Sequence, residues 1–357
     1  MPWALGVLLK EGATEASATW QDVERWHIGE NDGLWSALYL TSQAFRYSVT
    51  KSPEALATIR TLLAGEVQRM EITGVPGVFT RQFQPPDVPG AACPTNPDEY
   101  VPDVEKDDNK WVKIQDGCDW VVDRDTKEWK KTDVCGLSKY EGYCWLDNVS
   151  QDEYAGHMLA LGAIWKLVDD PDVRATTKDL IEKVALHLVR NKLAFIDWDG
   201  RVTEHGKLWI TSIADSPGFL SAAALDLIRM GVAVSDAPEI RDFYDNCLLQ
   251  KGGPKPCLPW PLEAESPLNY LDSIEQMLLF PGDNGCKANY NNFSMMFTWL
   301  HNLVWFETEP EVRGRVQDAW ASQFMHPTDP NALLRAGALH RNSWFDFGFA
   351  AFKRLGP

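Results

Sequence analysis

Apolar residues recur along much of this chain at the three- and four-residue spacing of one helix face. The stripe formed by Leu34, Leu38, Phe45 and Val49 is a clear case. Similar patterns predict helices over residues 34–49, 55–70, 154–167, 177–188, 220–230, 270–279 and 293–306. Residues 158–165 are apolar almost all round, which is typical of a helix that other helices cover.

The predicted helices begin at recognisable capping residues. An N-cap residue precedes a proline suited to the first helical position at Ser52-Pro53, Asp170-Pro171, Ser216-Pro217, Ser266-Pro267 and Asp329-Pro330. Ser150 and Glu153 have the spacing of a capping box. Helix beginnings recur in pairs about 20–24 residues apart, the spacing of antiparallel helical hairpins. The chain is therefore predicted to be all-α, a single (α/α)6-type toroid domain over residues 1–357.

Residues 82–148 interrupt this pattern with prolines, four cysteines and dense Asp and Lys. We interpret them as a Cys-rich irregular insertion lobe that disulfides hold, because a long segment without helical periodicity is uncommon in a compact domain. Few short strands are expected. The credible hairpin covers residues 194–203, with Asp199 and Gly200 at its turn.

The net charge of the chain argues against two classes of partner. Lys and Arg number 34 against 51 Asp and Glu, which gives a net charge of −17. Such a protein repels phosphate backbones and anionic lipid surfaces, so neither nucleic acid nor a membrane is a predicted partner. No apolar run reaches the roughly 20 residues needed to span a bilayer. The 16 tryptophans suit a large core and also suit stacking on sugar rings.

The seven cysteines favour an oxidising compartment. None has the CxxC spacing of zinc ribbons or thioredoxin-like proteins. Cys247 and Cys257 bracket a short Gly/Pro loop that a disulfide commonly closes. Two further bridges are plausible among Cys93, Cys118, Cys135 and Cys144, which permit three connectivities. A secreted or periplasmic protein is predicted; the alternative is a cytosolic protein with buried reduced thiols.

The first candidate site surrounds the beginning of the first predicted helix. Asp32 lies there close to Trp26 and Trp35. A carboxylate beside indole rings can bind a sugar hydroxyl, act as a general base or hold a metal. The alternative is that Asn31 or Asp32 only caps the helix.

The second candidate site covers residues 147–157. Glu153 and His157 are four residues apart and share a helix face, and Asp152 lies in the first turn of that helix. Gly156 suggests that another part of the chain approaches the helix backbone closely. The alternative assigns Glu153 to the capping box and His157 to the core.

Several further residues complete the candidate set. His205 follows the predicted hairpin and could reach a pocket, although a solvated loop histidine fits equally well. Arg81 is expected at the same rim as Asp32 if the first two helices pair antiparallel. Tyr290 and Arg341 precede late helices and suit polyol binding or capping equally.

Cofactor chemistry has little support in the sequence. Residues 119–125 carry alternating acids, as a calcium loop does, but lack its full twelve-residue spacing and its closing Glu. No Gly-rich phosphate loop, HExxH, GxSxG or basic aromatic motif is present. No cofactor and no metal ligand are therefore predicted.

Five short motifs carry a family resemblance. Residues 30–35, 47–50, 73–77, 152–157 and 197–200 resemble poorly characterised bacterial (α/α)-toroid proteins, which are similar to the six-hairpin glycosidase group. That group includes unsaturated glucuronyl hydrolases, sugar epimerases and several polysaccharide lyases. The resemblance covers residues 25–80 and 147–350, and it implies a central funnel lined by aromatic residues with Asp or Glu as acid or base.

These observations predict a carbohydrate-active enzyme, first of all a glycoside hydrolase acting on an oligo- or polysaccharide. Asp32 and either Asp152 or Glu153 are the predicted carboxylates. The predicted sugar-stacking residues are Trp35, Trp145, Trp198 and Tyr290.

Two alternatives stay open. A polysaccharide lyase or epimerase would use His157 or His205 as base and Arg81 or Arg341 against a uronate. A non-catalytic carbohydrate-binding toroid would use the cysteine-rich lobe for recognition. The sequence does not predict an oligomeric state.

Overall fold

The helices account for most of the regular structure. The computed structural model describes residues 7–14, 16–26, 31–88, 90–102, 109–211, 216–253, 255, 257–262, 269–276 and 290–325. The α-helices in these ranges are α1 Asp32–Thr50, α2 Pro53–Glu71, α3 Gln151–Leu167, α4 Pro171–Arg190, α5 Pro217–Val234, α6 Pro238–Asp242, α7 Tyr270–Gln276, α8 Tyr290–Phe306 and α9 Pro310–Met325. A π-helical turn follows α6 at Phe243–Leu248, and short 3-10 turns lie at Trp20–Asp22, Pro97–Tyr100 and Ser138–Tyr140.

Helices α1 and α3 run parallel to each other. At their beginnings the backbone N–H of Leu34 donates to Glu153 Oε2 over 3.0 Å. At their ends the Tyr47 hydroxyl donates to Asp169 Oδ1 over 2.7 Å. The first turns of the two helices therefore lie together, and so do the first-turn acids that the sequence singled out.

Helix α8 extends this parallel arrangement. Gly162 of α3 lies beside Phe306 near the end of α8. Helix α5 runs along α8 in the same direction, because Phe219 in the first turn of α5 packs on Trp299 in the middle of α8, and Arg229 further along α5 pairs with Glu307, just after α8. The positive ends of four helix dipoles consequently point toward one end of the helical layer.

Helices α2 and α4 return in the opposite direction. Arg60 of α2 pairs with Asp170, just after α3, while Glu66 further along α2 contacts His157 nearer the beginning of α3. Lys178, early in α4, pairs with Asp236, just after α5. The helical hairpins predicted for α1–α2 and α3–α4 are therefore present.

Local capping explains several of these helix beginnings. Ser52 Oγ accepts a hydrogen bond from the Ala55 N–H over 3.3 Å, and Asp170 Oδ1 accepts one from the Val173 N–H over 3.0 Å. Ser150 forms no such bond, and Ser216 begins α5 from a left-handed conformation without a side-chain cap. The capping box predicted for Ser150 and Glu153 does not form, because Glu153 binds α1 instead.

The segment predicted as an irregular insertion is an antiparallel sheet. Its strands are β3 Gln82–Gln84, β4 Trp111–Gln115, β5 Cys118–Val122, β6 Trp129–Cys135 and β7 Cys144–Leu146. They pair in the order β3-β7-β4-β5-β6. Two disulfides brace this lobe: Cys118–Cys135 joins β5 to β6, and Cys93–Cys144 ties an outer loop to β7.

Two smaller sheets complete the strands of the described ranges. Strands β1 Val7–Leu9 and β2 Val23–Trp26 pair near the beginning of the chain. Strands β8 Ala194–Ile196 and β9 Val202–Lys207 form the predicted hairpin, with Asp199 and Gly200 between them.

The all-α prediction is wrong. Of the described residues, 54% are helical and 14% lie in strands, and the strands form three antiparallel sheets, so the protein is mixed α/β and not an all-α toroid. The error lies in residues 109–146, where Lys113 and Gln115 interrupt the buried positions of Trp111–Gln115 and most of Trp129–Cys135 is exposed. Such strands carry no long apolar run. The tight turn at Asp116 and Gly117 between β4 and β5 is a local hairpin signal that the prediction did not use, whereas β7 pairs with β3 about 60 residues earlier in the chain.

The main core lies among the helices, with a second one beneath the sheet. Helices α1 to α5 and α8 supply most of the first core. Val112, Ile114 and Val121 of the sheet pack with Ile72, which directly follows α2. The lobe is therefore seated on the helical layer. Helix α5 is long and apolar enough to cross a membrane, but 94% of its apolar window is buried among other parts of this protein.

The third disulfide joins Cys247 and Cys257, as predicted. The three bridges together fit an extracellular or otherwise oxidising environment. Cys286 lies outside the described residues.

Candidate functional site

The candidate site is built where α1 and α3 begin side by side. Gly156 faces Leu34 so closely that an added Cβ would lie 2.7 Å from the Leu34 Cα. Gly33 of α1 meets the side chains of Glu153 and His157 at similarly short range. The close approach that Gly156 suggested therefore comes from α1, and it brings Asp32 and Asp152 into the first turns of adjacent helices.

A buried chain of ionisable groups lies directly below this contact. His157 Nδ1 is 2.5 Å from Glu66 Oε2, and His157 Nε2 is 3.5 Å from Glu153 Oε2. All three side chains are almost completely buried, and Phe79 stacks on the imidazole at 4.2 Å. Glu153 also accepts the Leu34 N–H, so this chain of groups joins α2, α3 and the first turn of α1.

Electrostatics keeps a proton within this cluster. Burial lowers the pKa of His157, but the charges and hydrogen bonds of Glu66 and Glu153 outweigh that effect and raise the pKa to about 9. Burial raises the pKa of Glu153. At neutral pH the imidazolium therefore compensates buried carboxylate charge, and His157 has no free lone pair with which to act as a base.

A left-handed residue before α3 organises the loops beside the site. Asn148 has φ 60°, and its N–H donates to Asp197 Oδ2 over 2.7 Å. Its side-chain Oδ1 accepts the Glu204 N–H over 2.8 Å. Arg81 donates to the carbonyl of Asn148 and to Asn31 Oδ1, each over 3.1 Å. Arg81 thus links the residues that precede α1 and α3, at the rim predicted for it.

Two carboxylates lie buried behind Asn148. Asp147 accepts hydrogen bonds from the Lys110 N–H over 2.6 Å and from Trp198 Nε1 over 3.1 Å, and it lies 3.4 Å from Arg201 Nη2. Burial and the neighbouring charge of Asp197 raise the pKa of Asp147. Burial raises the pKa of Asp197 to about 6. Both acids serve the loop structure, since protein donors bind them and solvent does not reach them.

The predicted catalytic residues fall into three groups. Asp32 and Asp152 are partly exposed at the paired helix beginnings. Glu153 and His157 lie in the same place but are fully buried, so neither can touch a substrate in this arrangement. His205 lies on β9 with more than half of its side chain exposed, 3.8 Å from Glu204.

The predicted substrate-binding residues also separate. Trp35 is 49% exposed on α1, whereas Trp145 is fully buried in the sheet core and offers no face to a sugar. Trp198 is half-buried and donates to Asp147, and Arg81 is buried and bound to backbone and amide groups. The side chain of Tyr290, at the beginning of α8, and the whole of Arg341 lie outside the described residues.

Sequence reasoning missed Glu66, although a signal was available. The buried face of α2 consists of Ala55, Ile59, Leu63, Glu66 and Met70, at spacings of three and four residues. A glutamate within an otherwise apolar stripe requires a buried partner. Finding that partner, 91 residues further along the chain, required the structure.

The acids at 119–125 do not form a calcium loop. Asp119 is buried in β5, and Asp123 Oδ1 instead closes a turn by accepting the N–H groups of Asp125 and Thr126. Across the part of the chain that the structure describes, no three His, Cys, Asp or Glu side chains converge in a metal-binding arrangement.

Comparison with known proteins adds no relative. No family model, no curated protein and no solved structure matches this chain. The arrangement of the site alone therefore indicates the function.

Proposed function

We propose that the protein is a carbohydrate-active enzyme, a glycoside hydrolase that uses Asp32 and Asp152 as its two carboxylates. The observation that carries this proposal is the contact between α1 and α3, which places two partly exposed acids in the first turns of adjacent parallel helices. Glycoside hydrolysis requires two carboxyl groups near one glycosidic bond, and this contact brings two acids to the same end of adjacent helices.

The choice of these two acids follows from their exposure to solvent. Glu153, Asp147 and Asp197 are each at most 5% exposed and accept hydrogen bonds from the chain itself. A catalytic acid must reach the substrate oxygen, so these three groups support the site from behind. Asp32 and Asp152 are the acids at the helix beginnings that solvent reaches.

An exposed aromatic strip begins beside Asp32. Asp32, Trp35 and Tyr39 follow one another at three and four residues along the outward face of α1. Trp35 is 49% and Tyr39 is 37% exposed. Large exposed rings on a helix with a well-packed inner face are suited to contact a ligand, and flat rings suit the apolar face of a sugar.

The proposed chemistry divides the two roles between the carboxyl groups. One carboxylic acid donates its proton to the leaving glycosidic oxygen as the bond between that oxygen and the anomeric carbon breaks. The other carboxylate has two possible roles. It can remove a proton from a water that attacks the anomeric carbon, which inverts the configuration; or it can attack the anomeric carbon itself, and a water activated by the first carboxylate then breaks the resulting ester bond, which retains the configuration. The oxidising environment indicated by the disulfides fits a secreted or periplasmic enzyme that meets its polysaccharide outside the cytoplasm.

The experiment is a screen of neutral oligosaccharides for the release of reducing ends, followed by Asp32→Asn and Asp152→Asn. Each substitution removes a carboxylate from the reaction and is expected to lower kcat by at least about 100-fold. Asp172→Asn is the matched control, because Asp172 is an exposed first-turn acid of α4, whose direction is opposite to that of α3.

Three outcomes would contradict the proposal. Full activity of both site variants would remove these acids from the mechanism. An unsaturated, ultraviolet-absorbing product from uronate oligosaccharides would indicate a lyase. Binding of a neutral oligosaccharide without turnover of any substrate, unaffected by either variant, would indicate a binding protein.

A further inference from the structure

The outer face of the five-stranded sheet carries a row of lysine and tryptophan side chains. Lys113 on β4 pairs with Trp120 on β5, and Trp120 pairs with Lys131 on β6. Directly paired residues of neighbouring strands project on the same face, with Cβ atoms about 5 Å apart. Trp120 therefore lies between two lysine residues on this face.

A second tryptophan extends this row. Trp129 pairs with Val122, two residues from the pair formed by Trp120 and Lys131, and so lies on the same face. Its ring is 43% exposed, contacts Tyr100 at 4.8 Å and lies under Lys113 Nζ at 5.5 Å. Trp120 and Trp129 are diagonal neighbours on β5 and β6, and such neighbours are about 7–8 Å apart. Adjacent rings of a sugar chain can cover this distance.

The two faces of the sheet differ in what covers them. On one face Val112, Ile114 and Val121 pack against Ile72 of the helical layer. On the other face the segment that contains Tyr100 covers Trp111, Val122, Cys144 and Leu146, which are buried. The four side chains of the row, Lys113, Trp120, Trp129 and Lys131, remain half-buried or exposed.

The row is also held in place before any ligand arrives. The disulfide Cys118–Cys135 links β5 to β6, and Trp120 Nε1 donates to the Gln115 carbonyl over 2.8 Å. Rings and cations fixed on a braced sheet lose little conformational entropy on binding, so an exposed surface of this kind can bind a flexible polymer.

We propose that this face, defined by Lys113, Trp120, Trp129 and Lys131, is a binding surface for an acidic polysaccharide whose sugars carry carboxylate groups. The indoles provide flat apolar surfaces for sugar rings, and the two ammonium groups provide charge-assisted hydrogen bonds to the carboxylates. Lys113 and Lys131 outnumber Asp133, the exposed acid two residues after Lys131 on β6, and this locally positive charge in a chain whose net charge is −17 argues for an anionic occupant. This surface is separate from the pair Asp32 and Asp152, and the proposal does not depend on hydrolysis.

The test measures retardation of the full chain in native gels that contain polygalacturonate. Trp129→Ala and Lys131→Glu are each expected to weaken binding by about fivefold or more, and added salt is expected to weaken binding by the unmodified protein. Trp260→Ala and Lys178→Glu are the controls, since they remove another exposed indole and reverse another charge on the helical part of the protein. Far-UV circular dichroism verifies that each variant is folded.

Four results would overturn the proposal. The first is no retardation of the unmodified protein in polygalacturonate, and the second is retardation of the site variants equal to that of the unmodified protein. The third is retardation in a neutral glucan equal to that in polygalacturonate. The fourth is an affinity for poly-glutamate equal to that for polygalacturonate, which would indicate an acidic peptide as the partner. Size-exclusion chromatography identifies a fifth: a dimer that Trp129→Ala abolishes would make the face a contact between copies of this chain. The assay involves no turnover, so the result for this binding surface and the result for the hydrolase proposal are independent: either proposal can fail while the other holds.

Discussion

Individual side chains here take partners far away in the sequence, and burial determines their protonation. His157 and His187 are both buried on helices, yet their surroundings are opposite. His157 lies between two glutamates, whereas His187 has Nδ1 3.1 Å from the Pro76 carbonyl and accepts the Ile196 N–H at Nε2. Since Nε2 accepts, the proton of neutral His187 is on Nδ1 and points to Pro76.

The pKa values of the two histidines are therefore expected to shift in opposite directions from that of a free imidazole. The pKa of His157 is raised to about 9, and burial lowers the pKa of His187 to about 4. Protonated His157 stabilises the fold fully below its unfolded pKa near 6.5, and this stabilisation is lost as the pH rises toward 9. For His187 the sign is reversed, since the folded state resists protonation and loses stability as the pH falls from 6.5 toward 4.

Imidazole proton shifts in a pH series of NMR spectra test this directly. Glu66→Gln should move the His157 transition to lower pH and leave His187 unchanged. Equal pKa values for the two rings near 6.5 would contradict the buried ion cluster.

A second residue-scale prediction concerns the close approach of α1 and α3. In Gly33→Ala the new Cβ would collide with Glu153 Oε2 and lie 2.8 Å from the His157 ring, and both side chains are fixed by burial. We expect a loss of about 1–3 kcal/mol in the free energy of unfolding, measured by urea denaturation.

Gly65→Ala on α2 is the matched control. Nothing lies within 4 Å of its added Cβ, so the higher helix propensity of Ala should raise stability by up to about 1 kcal/mol. If both substitutions stabilise the protein, the α1–α3 contact is looser than described.

At the scale of elements, the sheet depends on covalent links more than the helices do. The edge strand β6 is mostly exposed, and its pairing with β5 contains an irregularity between Cys118 and Trp120. Such a strand buries little apolar surface of its own. The disulfide Cys118–Cys135 joins it to the sheet, and Cys93–Cys144 closes the larger loop.

Removing each bridge should therefore destabilise the lobe, and the loss should grow with the logarithm of the length of the loop that the bridge closes. The separations of 17 and 51 residues correspond to about 3 kcal/mol for Cys118–Cys135 and about 4 kcal/mol for Cys93–Cys144 in the chain-entropy account. Paired Cys→Ser variants and urea unfolding, followed by tryptophan fluorescence, provide the measurement. The reverse order of losses would show that native-state packing, not loop entropy, dominates.

The sheet was also the element least predictable from sequence. Helices α2 and α4 were predictable because Ser52 and Asp170 cap them through neighbours three residues away. The hairpin of β8 and β9 was predictable because Asp199 and Gly200 form its turn locally. By contrast, β3 pairs with β7 some 60 residues later, and no local pattern records that partner.

Over the whole molecule, the net charge of −17 is distributed unevenly. Buried acids such as Asp147 and Asp226 have raised pKa values because burial disfavours their charged forms. Most other acids in the described ranges are exposed or half-buried, where mutual repulsion opposes the compact state.

Salt should therefore stabilise the protein at neutral pH. Raising NaCl from 0.05 to 0.5 M shortens the Debye length and screens the repulsion, and we expect Tm to rise by about 2 °C or more. The same series near pH 4.8, where the sequence predicts zero net charge, provides the control and should show a smaller rise. A Tm at pH 7 that does not respond to salt would mean that surface ion pairs already balance the repulsion.

The sequence by itself determined where α2 and α4 begin, where the β8–β9 hairpin turns, and that Cys247 can bridge to Cys257. Each of these features depends on groups only a few residues apart, so the local chain contains all the information. The tertiary structure alone decided that Glu153 binds the Leu34 N–H instead of capping α3, that Glu66 meets His157, and that residues 82–146 form a sheet. The contacts between Glu153 and Leu34, between Glu66 and His157, and between β3 and β7 join groups about 60 to 120 residues apart, whose energies of burial and pairing exist only once the chain has folded.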